Sequence, residues 1–354
     1  MTSNSYSVLG LMSGSSLDGI DMACCRFSFN DNKWQYHIAK SETVSYTAQW
    51  HQKLAHAHLL PSNELFRLDV EYGQLIGELA ASFIHKHQLA PELISSHGHT
   101  IFHEPEHGYS FQLGKGTSIA RQTGIITISD FRSADIQNGG QGAPLVPIGD
   151  ELLFNEYRAC LNLGGIANIS FNEKGNRKGY DICAANQLLN LLSTEVGLPF
   201  DDGGALAASG HVDLRLLEQL NSHEYFLHQH PKSLSNEYVV RHFIAPLLSK
   251  QVSVENRMAT ATAHISQHIA RSINHLDHGK VLVTGGGSHN HYLIESIKKL
   301  TSQEIVVPDQ QLIDFKEALV FAFMGMLCIR KKVNCLASVT GAKCDSIGGV
   351  ISNP

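Results

Sequence analysis

The sequence predicts an α/β protein of two halves, each built on the same order of strands and helices. Three observations carry this. The chain has 354 residues, and at roughly 150 residues per domain that suits about two domains. Apolar residues make up 43% and charged residues 17%, a globular balance with material for two cores. A hairpin–strand–helix–strand–helix order near the N-terminus restarts near residue 159.

Val8-Leu9-Gly10-Leu11-Met12 is a continuous apolar run and reads as a buried strand. Ser13 to Gly19 is a turn, residues 20–29 return as a second strand, and 34–46 give a third. Helical spacing follows over 49–59 and 63–87, where Leu65, Leu68, Leu75, Ile76, Leu79 and Phe83 share a face. A strand at 91–96, a helix around 118–122 and a strand at 125–128 complete the series. The second series opens with a strand at 159–163, a Gly164-Gly165 turn, a returning strand at 166–171, a strand at 179–182 and a helix at 187–196. After a helical middle section come a long helix at 255–276, a strand at 280–284, the Gly285-Gly286-Gly287 turn and a helix at 289–300. A strand at 304–307 and a last helix at 315–330 close it. The repeat lies in the order of elements and not in letters. The run 138–144, rich in Gly and ending in Pro, suits a loop or hinge. The expected lobes are 1–130, onto which 335–354 packs back, and 131–354.

Net charge is −6 with His neutral, which argues against a nucleic-acid partner, since phosphate backbones are held by basic surfaces. No run of about 18 apolar residues exists to span a membrane. The polar start lacks the basic end and apolar segment of a signal peptide. The seven Cys are odd in number and form no CxxC, so reduced thiols in a cytoplasm are expected.

The turn Ser13-Gly14-Ser15-Ser16-Leu17-Asp18-Gly19 holds two Gly, three hydroxyls and a carboxylate between apolar strands. Bare backbone there suits a phosphate, with Asp18 placed for Mg²⁺ or its waters; an ordinary hairpin turn would use the same residue types. No G-x-x-x-x-G-K-[ST] exists, and Gly114-Lys115-Gly116-Thr117 lacks the upstream Gly. The Gly285-Gly286-Gly287 turn has Asn290 where G-x-G-x-x-G needs its third Gly. It still brings bare backbone to a helix start, where a nucleotide can lie, unless it is a tight turn only.

The segment 9–21, Leu-Gly-Leu-Met-Ser-Gly-Ser-Ser-Leu-Asp-Gly-Ile-Asp, closely resembles the opening motif of the anhydro-N-acetylmuramic acid kinases. Further segments resemble the family in the same order: Ser96-His97-Gly98-His99-Thr100, Asp130-Phe131-Arg132, 139–147, 161–168, Pro231-Lys232-Ser233, 284–290, 317–323 and 338–342. Together they run over nearly the whole chain. The resemblance implies an actin-like kinase fold, as in sugar kinases, actin and heat-shock ATPases, with duplicated RNase H-like lobes and ATP in a central cleft. It implies a reaction in which water opens the 1,6-anhydro ring of anhydro-N-acetylmuramic acid. ATP and Mg²⁺ phosphorylate the freed O6, in cytoplasmic recycling of cell-wall sugars by a homodimer. It places Gly14, Ser15, Ser16, Leu17, Asp18 and Gly19 in the first phosphate turn and Gly164, Gly165 and Asn168 in the second. Gly285, Gly286, Gly287 and Asn290 fall to the nucleotide, and His97, Arg132, Asp181 and Glu317 to the sugar. Arg132 is expected to meet the lactyl carboxylate, which a guanidinium fork suits, unless it serves a hinge salt bridge.

Asp181 aligns with the family's catalytic base, although a strand-end Asp is by itself as well suited to a cap. The sequence departs here. The family commonly has Asp-Thr-Gly-Pro-Gly-Asn, and this chain has Asp181-Ile182-Cys183-Ala184-Ala185-Asn186. Ala tolerates positive φ poorly, so an altered backbone path and another sugar are open alternatives. A non-catalytic sensor on the same fold is another, though Asp18, Asp181 and Glu317 together argue against it.

The 21 histidines first suggest metal chemistry. His97 and His99 fall in the family's substrate turn, and His103 and His107 in a hairpin expected to end near Gly108. His264 and His268 lie four apart but lack the Glu of H-E-x-x-H. No metal site is expected at either place. Phe321, Phe323, Met324 and Met326 read as core, and Arg330-Lys331-Lys332 as a solvated helix end.

Overall fold

The computed structural model describes residues 5–14, 17–228, 232–248 and 251–354. The chain divides into two compact units, Met1–Leu153 with Phe315–Pro354, and Phe154–Asp314.

In the first unit, β1 (Ser5–Met12), β2 (Gly19–Asn30) and β3 (Lys33–Ser45) form an antiparallel meander. β4 (Leu93–Ser96) joins β1 in parallel. β5 (His99–Glu104) and β6 (Tyr109–Leu113) make a separate hairpin. β7 (Thr127–Ser129) lies parallel to β4, and the C-terminal strand Val350–Ser352 pairs antiparallel with β7. The resulting order is β3-β2-β1-β4-β7 with the C-terminal strand at the edge. β4 is buried throughout, as a parallel central strand covered on both faces must be. β3 largely alternates exposed and half-buried residues, which keeps an edge strand polar on one side.

The helix Ser62–Lys86 buries Leu68, Tyr72, Ile76, Ala80 and Phe83 along one stripe. That stripe joins Leu9, Leu11, Ile20, Met22 and Ile94 in one core. On the helix Gln310–Ile329, every residue from Ala318 to Leu327 is buried. Gly10 lets it approach β1, since a Cβ there would land on the carbonyl of Ala318.

The second unit repeats the plan. β8 (Ala159–Leu163), β9 (Ile166–Glu173) and β10 (Asn176–Ala184) are antiparallel, and β11 (Lys280–Thr284) and β12 (Glu304–Val306) continue from β8 in parallel. The order is β10-β9-β8-β11-β12. Counted within each unit, both sheets therefore read third, second, first, fourth, fifth. This is the duplicated RNase H-like plan of the actin-like ATPase fold. The helix Val254–Asn274 packs Met258, Ala261, Ile265, Ile269 and Ile273 into the core of this unit, and Ser253 caps its start on the Asn256 amide.

The lobe boundary expected at 130/131 differs from these units, because residues 131–153 and the stretch from Phe315 cluster with the first. Specific contacts explain it. The buried Asp135 carboxylate accepts from the Gly142 amide at 2.8 Å and the Thr340 hydroxyl at 2.7 Å. The buried pair Lys316–Asp150 lies at 2.7 Å. The last long helix begins at Gln310, five residues before its expected start, so the unit boundary after Asp314 falls inside it.

Candidate active site

The first turn is anchored from below. The Ser13 hydroxyl lies 3.1 Å from His99 Nδ1 and 2.7 Å from the Tyr46 hydroxyl, which in turn meets Tyr72 at 2.5 Å. Burial pushes both tyrosine hydroxyls up, so they stay protonated as donors. This network has no signature in the sequence, because its members come from four separate stretches of the chain. In the turn itself the Leu17 amide faces the Gly14 carbonyl at 3.4 Å, with Leu17 at φ 60°. Asp18 is exposed. Ser15 and Ser16 lie outside the described residues. Gly19 opens β2, and two residues on, Asp21 accepts from Thr43 of β3 at 2.6 Å.

The structure brings His97, Arg132 and Glu317 together in the first unit. His97 follows β4, and its amide donates to the Leu11 carbonyl at the end of β1. An Arg132 nitrogen donates to His97 Nε2 at 2.7 Å, and His97 Nδ1 lies 2.9 Å from the Gly98 carbonyl. The hydrogen-bond network therefore assigns a neutral imidazole with its proton on Nδ1. Burial, reinforced by the neighbouring guanidinium, lowers the His97 pKa to about 3. Arg132 also donates to the Gly142 carbonyl at 2.6 Å, and its Nε is buried without a hydrogen-bond partner. Burial lowers its pKa to about 10, opposed by the charge of Glu317. A guanidinium held this way by two neutral acceptors, with N–H donors left over on its terminal nitrogens, is prepared for an anionic ligand. Glu317 has an exposed surface, so water and ligand reach it. Protein atoms still crowd around it, and that desolvation raises its pKa, with Asp21 adding and Lys316 and Arg132 opposing.

The second unit holds both Gly turns. The Gly164 carbonyl accepts from the Asn186 amide, and the Gly165 carbonyl from the Ala185 and Gln187 amides. The turn is thus fixed to the start of the helix Asn186–Thr194. Asn186 also donates its side-chain amide to the Leu163 carbonyl at 3.1 Å, a structural role that the sequence did not single out. Asn168 on β9 stands opposite Asn162 on β8 and Asp181 on β10. At Gly285, φ is 83° and a Cβ would meet Asn162 Oδ1 at 2.5 Å; at Gly287 it would meet Leu163 Cβ at 2.8 Å. Both positions need Gly for close packing, whereas Gly286 has nothing nearer than Asn186 Nδ2 at 3.9 Å and presents open backbone. Asn290 caps the helix His291–Lys298 through the Leu293 amide at 2.9 Å. Its side-chain oxygen is thereby committed to the cap.

Asp181 sits at a register shift in β10. Its amide donates to the Lys232 carbonyl, its carbonyl accepts from the Tyr225 hydroxyl at 2.5 Å, and its carboxylate accepts from the Leu234 amide at 3.0 Å. Burial raises its pKa and the Leu234 amide opposes this, the direction a proton acceptor needs. Ile182, Cys183, Ala184 and Ala185 all belong to the core of this unit. Neither Ala has positive φ, so this loop follows a path that does not need the glycines of the family pattern. Pro231 lies outside the described residues.

His103, His107, His264 and His268 are engaged in ordinary ways. His103 meets Ser110 and His107 meets Glu104, all on an exposed hairpin, and His264 and His268 share Asn221 Oδ1. The family model described as anhydro-N-acetylmuramic acid kinase matches residues 6–354. The chain belongs to this family. A relative of that name from Acinetobacter baylyi is 33% identical over 98% of this chain and 98% of its own length. One from Synechococcus elongatus is 33% identical over 95% and 96%. Among solved structures, the activator of 2-hydroxyisocaproyl-CoA dehydratase from Clostridium difficile, with bound ADPNP, covers 92% of this chain and 96% of its own, at 14% identity and a TM-score of 0.46. Among the described residues no helix is long and apolar enough to cross a membrane.

Proposed function

We propose that the protein is an ATP-dependent kinase that opens the 1,6-anhydro ring of anhydro-N-acetylmuramic acid and phosphorylates O6. The products are N-acetylmuramic acid 6-phosphate and ADP. Membership of the family over residues 6–354 carries the reading. Arg132 supports it within the site, being a half-buried guanidinium held by neutral groups with N–H donors to spare.

In this reading Arg132 receives the lactyl carboxylate of the sugar, and His97 orients the guanidinium through its unprotonated Nε2. Asp181 accepts the proton of the water that attacks the anomeric carbon. The C1–O6 bond breaks and its electron pair stays on O6. O6 then attacks the γ-phosphorus and ADP leaves. Such transfer rests on positioning and charge neutralisation. Glu317, reachable and raised in pKa, holds a sugar hydroxyl beside Arg132. The turns at 14–19 and 164–165 hold phosphates by their backbone, and Gly286 faces the nucleotide with bare backbone.

Mg²⁺ suits the oxygen donors of the first turn. Asp18 is an exposed carboxylate there, and hard cations take such ligands directly or through water. When bound, the ion neutralises phosphate charge. The protein works in the cytoplasm on a small sugar as a homodimer, with neither nucleic acid nor membrane as partner; light scattering at working concentration tests the dimer. A coupled ADP-release assay with the anhydro-sugar tests the function. ADP formation dependent on that sugar is expected, and no activity above blank would sink the claim.

A further inference from the structure

A cavity of about 610 Å³ opens in the second unit, beside β10 and the helix Val254–Asn274. None of the roles above uses it. Lys232 and Arg271 both line it. Among the described residues Arg271 has no hydrogen-bond or ion-pair partner, and the Lys232 ammonium meets only the Tyr225 carbonyl at 3.3 Å and the faces of Tyr225 and Tyr180. Burial, and after it the charge of Arg271, lowers the proton affinity of Lys232, so the two cations feel one another. Both also act on His268 in the cavity wall, whose pKa falls to about 4 with burial as the main cause. That imidazole is neutral near pH 7, so the positive charge is that of Lys232 and Arg271. Among the described residues Glu173 is the one carboxylate on the lining, and no ion pair joins it to either cation.

Two facing cations without a paired carboxylate repel until an anion arrives. A dianion balances both, whereas a carboxylate leaves one uncompensated. Phe226, one face of which stacks on His268, and Tyr180 supply aromatic wall, and Ser272, His275 and Glu173 offer donors and acceptors for hydroxyls. The volume falls in the ordinary range for a small ligand. We propose that this cavity binds a hexose-sized phosphomonoester, with the phosphate on Lys232 and Arg271 and the ring against Phe226 and Tyr180. The site adjoins Asp181 through the chain. Tyr180 and Ile182, which flank Asp181, line the cavity, and the Lys232 carbonyl accepts from the Asp181 amide.

Titration calorimetry at fixed ionic strength, with the protein saturated in Mg·ADP, tests the proposal without turnover. The result is therefore separable from the kinase assay. Glucose 6-phosphate is the probe, with glucose and inorganic phosphate as its two parts. The wild type is expected to bind glucose 6-phosphate at least tenfold tighter than either part. Arg271→Gln, at an exposed helix position, weakens binding about tenfold or more. Arg271→Lys keeps the charge and loses less. Arg132→Gln leaves binding unchanged, which separates this cavity from the site in the first unit. No heat with the wild type, equal affinity in Arg271→Gln of unchanged melting temperature, or phosphate binding as tightly as the sugar phosphate would overturn the proposal.

Discussion

Asp135 offers a test of how the first unit holds Arg132. Its buried carboxylate takes the Gly142 amide at 2.8 Å and the Thr340 hydroxyl at 2.7 Å, and the Gly142 carbonyl holds Arg132. Asp135→Ala removes both charge-assisted bonds, leaving the Gly142 amide without an acceptor and the Thr340 hydroxyl with only the Leu336 carbonyl at 3.3 Å. Hydrogen bonds to a charged group contribute about 1.5–3 kcal/mol each, so the loss of both is about 3–6 kcal/mol. In a unit of this size that lowers the melting temperature by about 6–24 °C. Asp135→Asn is different. Its oxygen can keep the Gly142 amide while its NH₂ donates to Thr340, whose hydroxyl can turn to the Leu336 carbonyl at 3.3 Å. Only the charge assistance is lost, about 1 kcal/mol, or roughly 2–4 °C. Differential scanning calorimetry on both variants decides. In the sugar-dependent assay, Asp135→Ala should also raise the KM for the sugar about tenfold with a smaller change in kcat, as a loosened Arg132 requires. Equal melting shifts in the two variants, or a shift below about 1 °C in Asp135→Ala, would refute the reasoning.

Other outcomes follow from the same geometry. His97 has a folded pKa of about 3 against about 6.5 unfolded. The unfolded chain then binds more protons between those values, so its contribution to stability is present above about pH 6.5 and is lost as pH falls toward 3. His97→Gln should flatten that acid limb in denaturant titrations run at several pH values, and an unchanged limb would count against the buried neutral imidazole. Gly287→Ala, with its Cβ against Leu163 and Asn186, should raise the KM for ATP at least tenfold and lower stability. Gly286→Ala, with open space around it, should fold as wild type; reversed behaviour of the pair would contradict the turn as described. The Arg257 guanidinium donates to both oxygens of Glu195 at 2.8 Å and is almost fully buried. Arg257→Ala should destabilise the second unit by about 3–5 kcal/mol in urea unfolding, and a change below about 1 kcal/mol would show that the pair is not holding it.

Much of the fold was legible because burial writes itself into the sequence as period and run. The expected strands at 159–163 and 280–284 match Ala159–Leu163 and Lys280–Thr284. The amphipathic stripe beginning near Leu65 gave the helix Ser62–Lys86 to within a residue at each end. Pairing across the chain left no local trace. The C-terminal strand Val350–Ser352 finds its edge only once β7 exists. The loop at 138–144 belongs to the first unit because Asp135 and Thr340 bind its backbone and neighbouring turn, not because of its own composition. The candidate site shows the same divide. Motif residues named His97, Arg132 and Glu317, but not the imidazole tautomer, the Ser13–His99–Tyr46–Tyr72 network or the Tyr225 and Leu234 contacts that seat Asp181. Those depend on hydrogen bonds between residues far apart in sequence.

The central claim is that Asp181 is the base of a sugar-dependent kinase, and Asp181→Asn tests it most directly. Asn keeps an oxygen for the Leu234 amide, so the fold around it survives. Burial disfavours the Asp181 charge, so a neutral amide should leave the melting temperature unchanged or slightly higher. Removing a general base lowers rate by about 10²–10⁴-fold. Sugar-dependent ADP release should therefore fall at least about a hundredfold in kcat, with sugar still bound in calorimetry. A stable variant that turns over within about threefold of wild type would contradict the assignment.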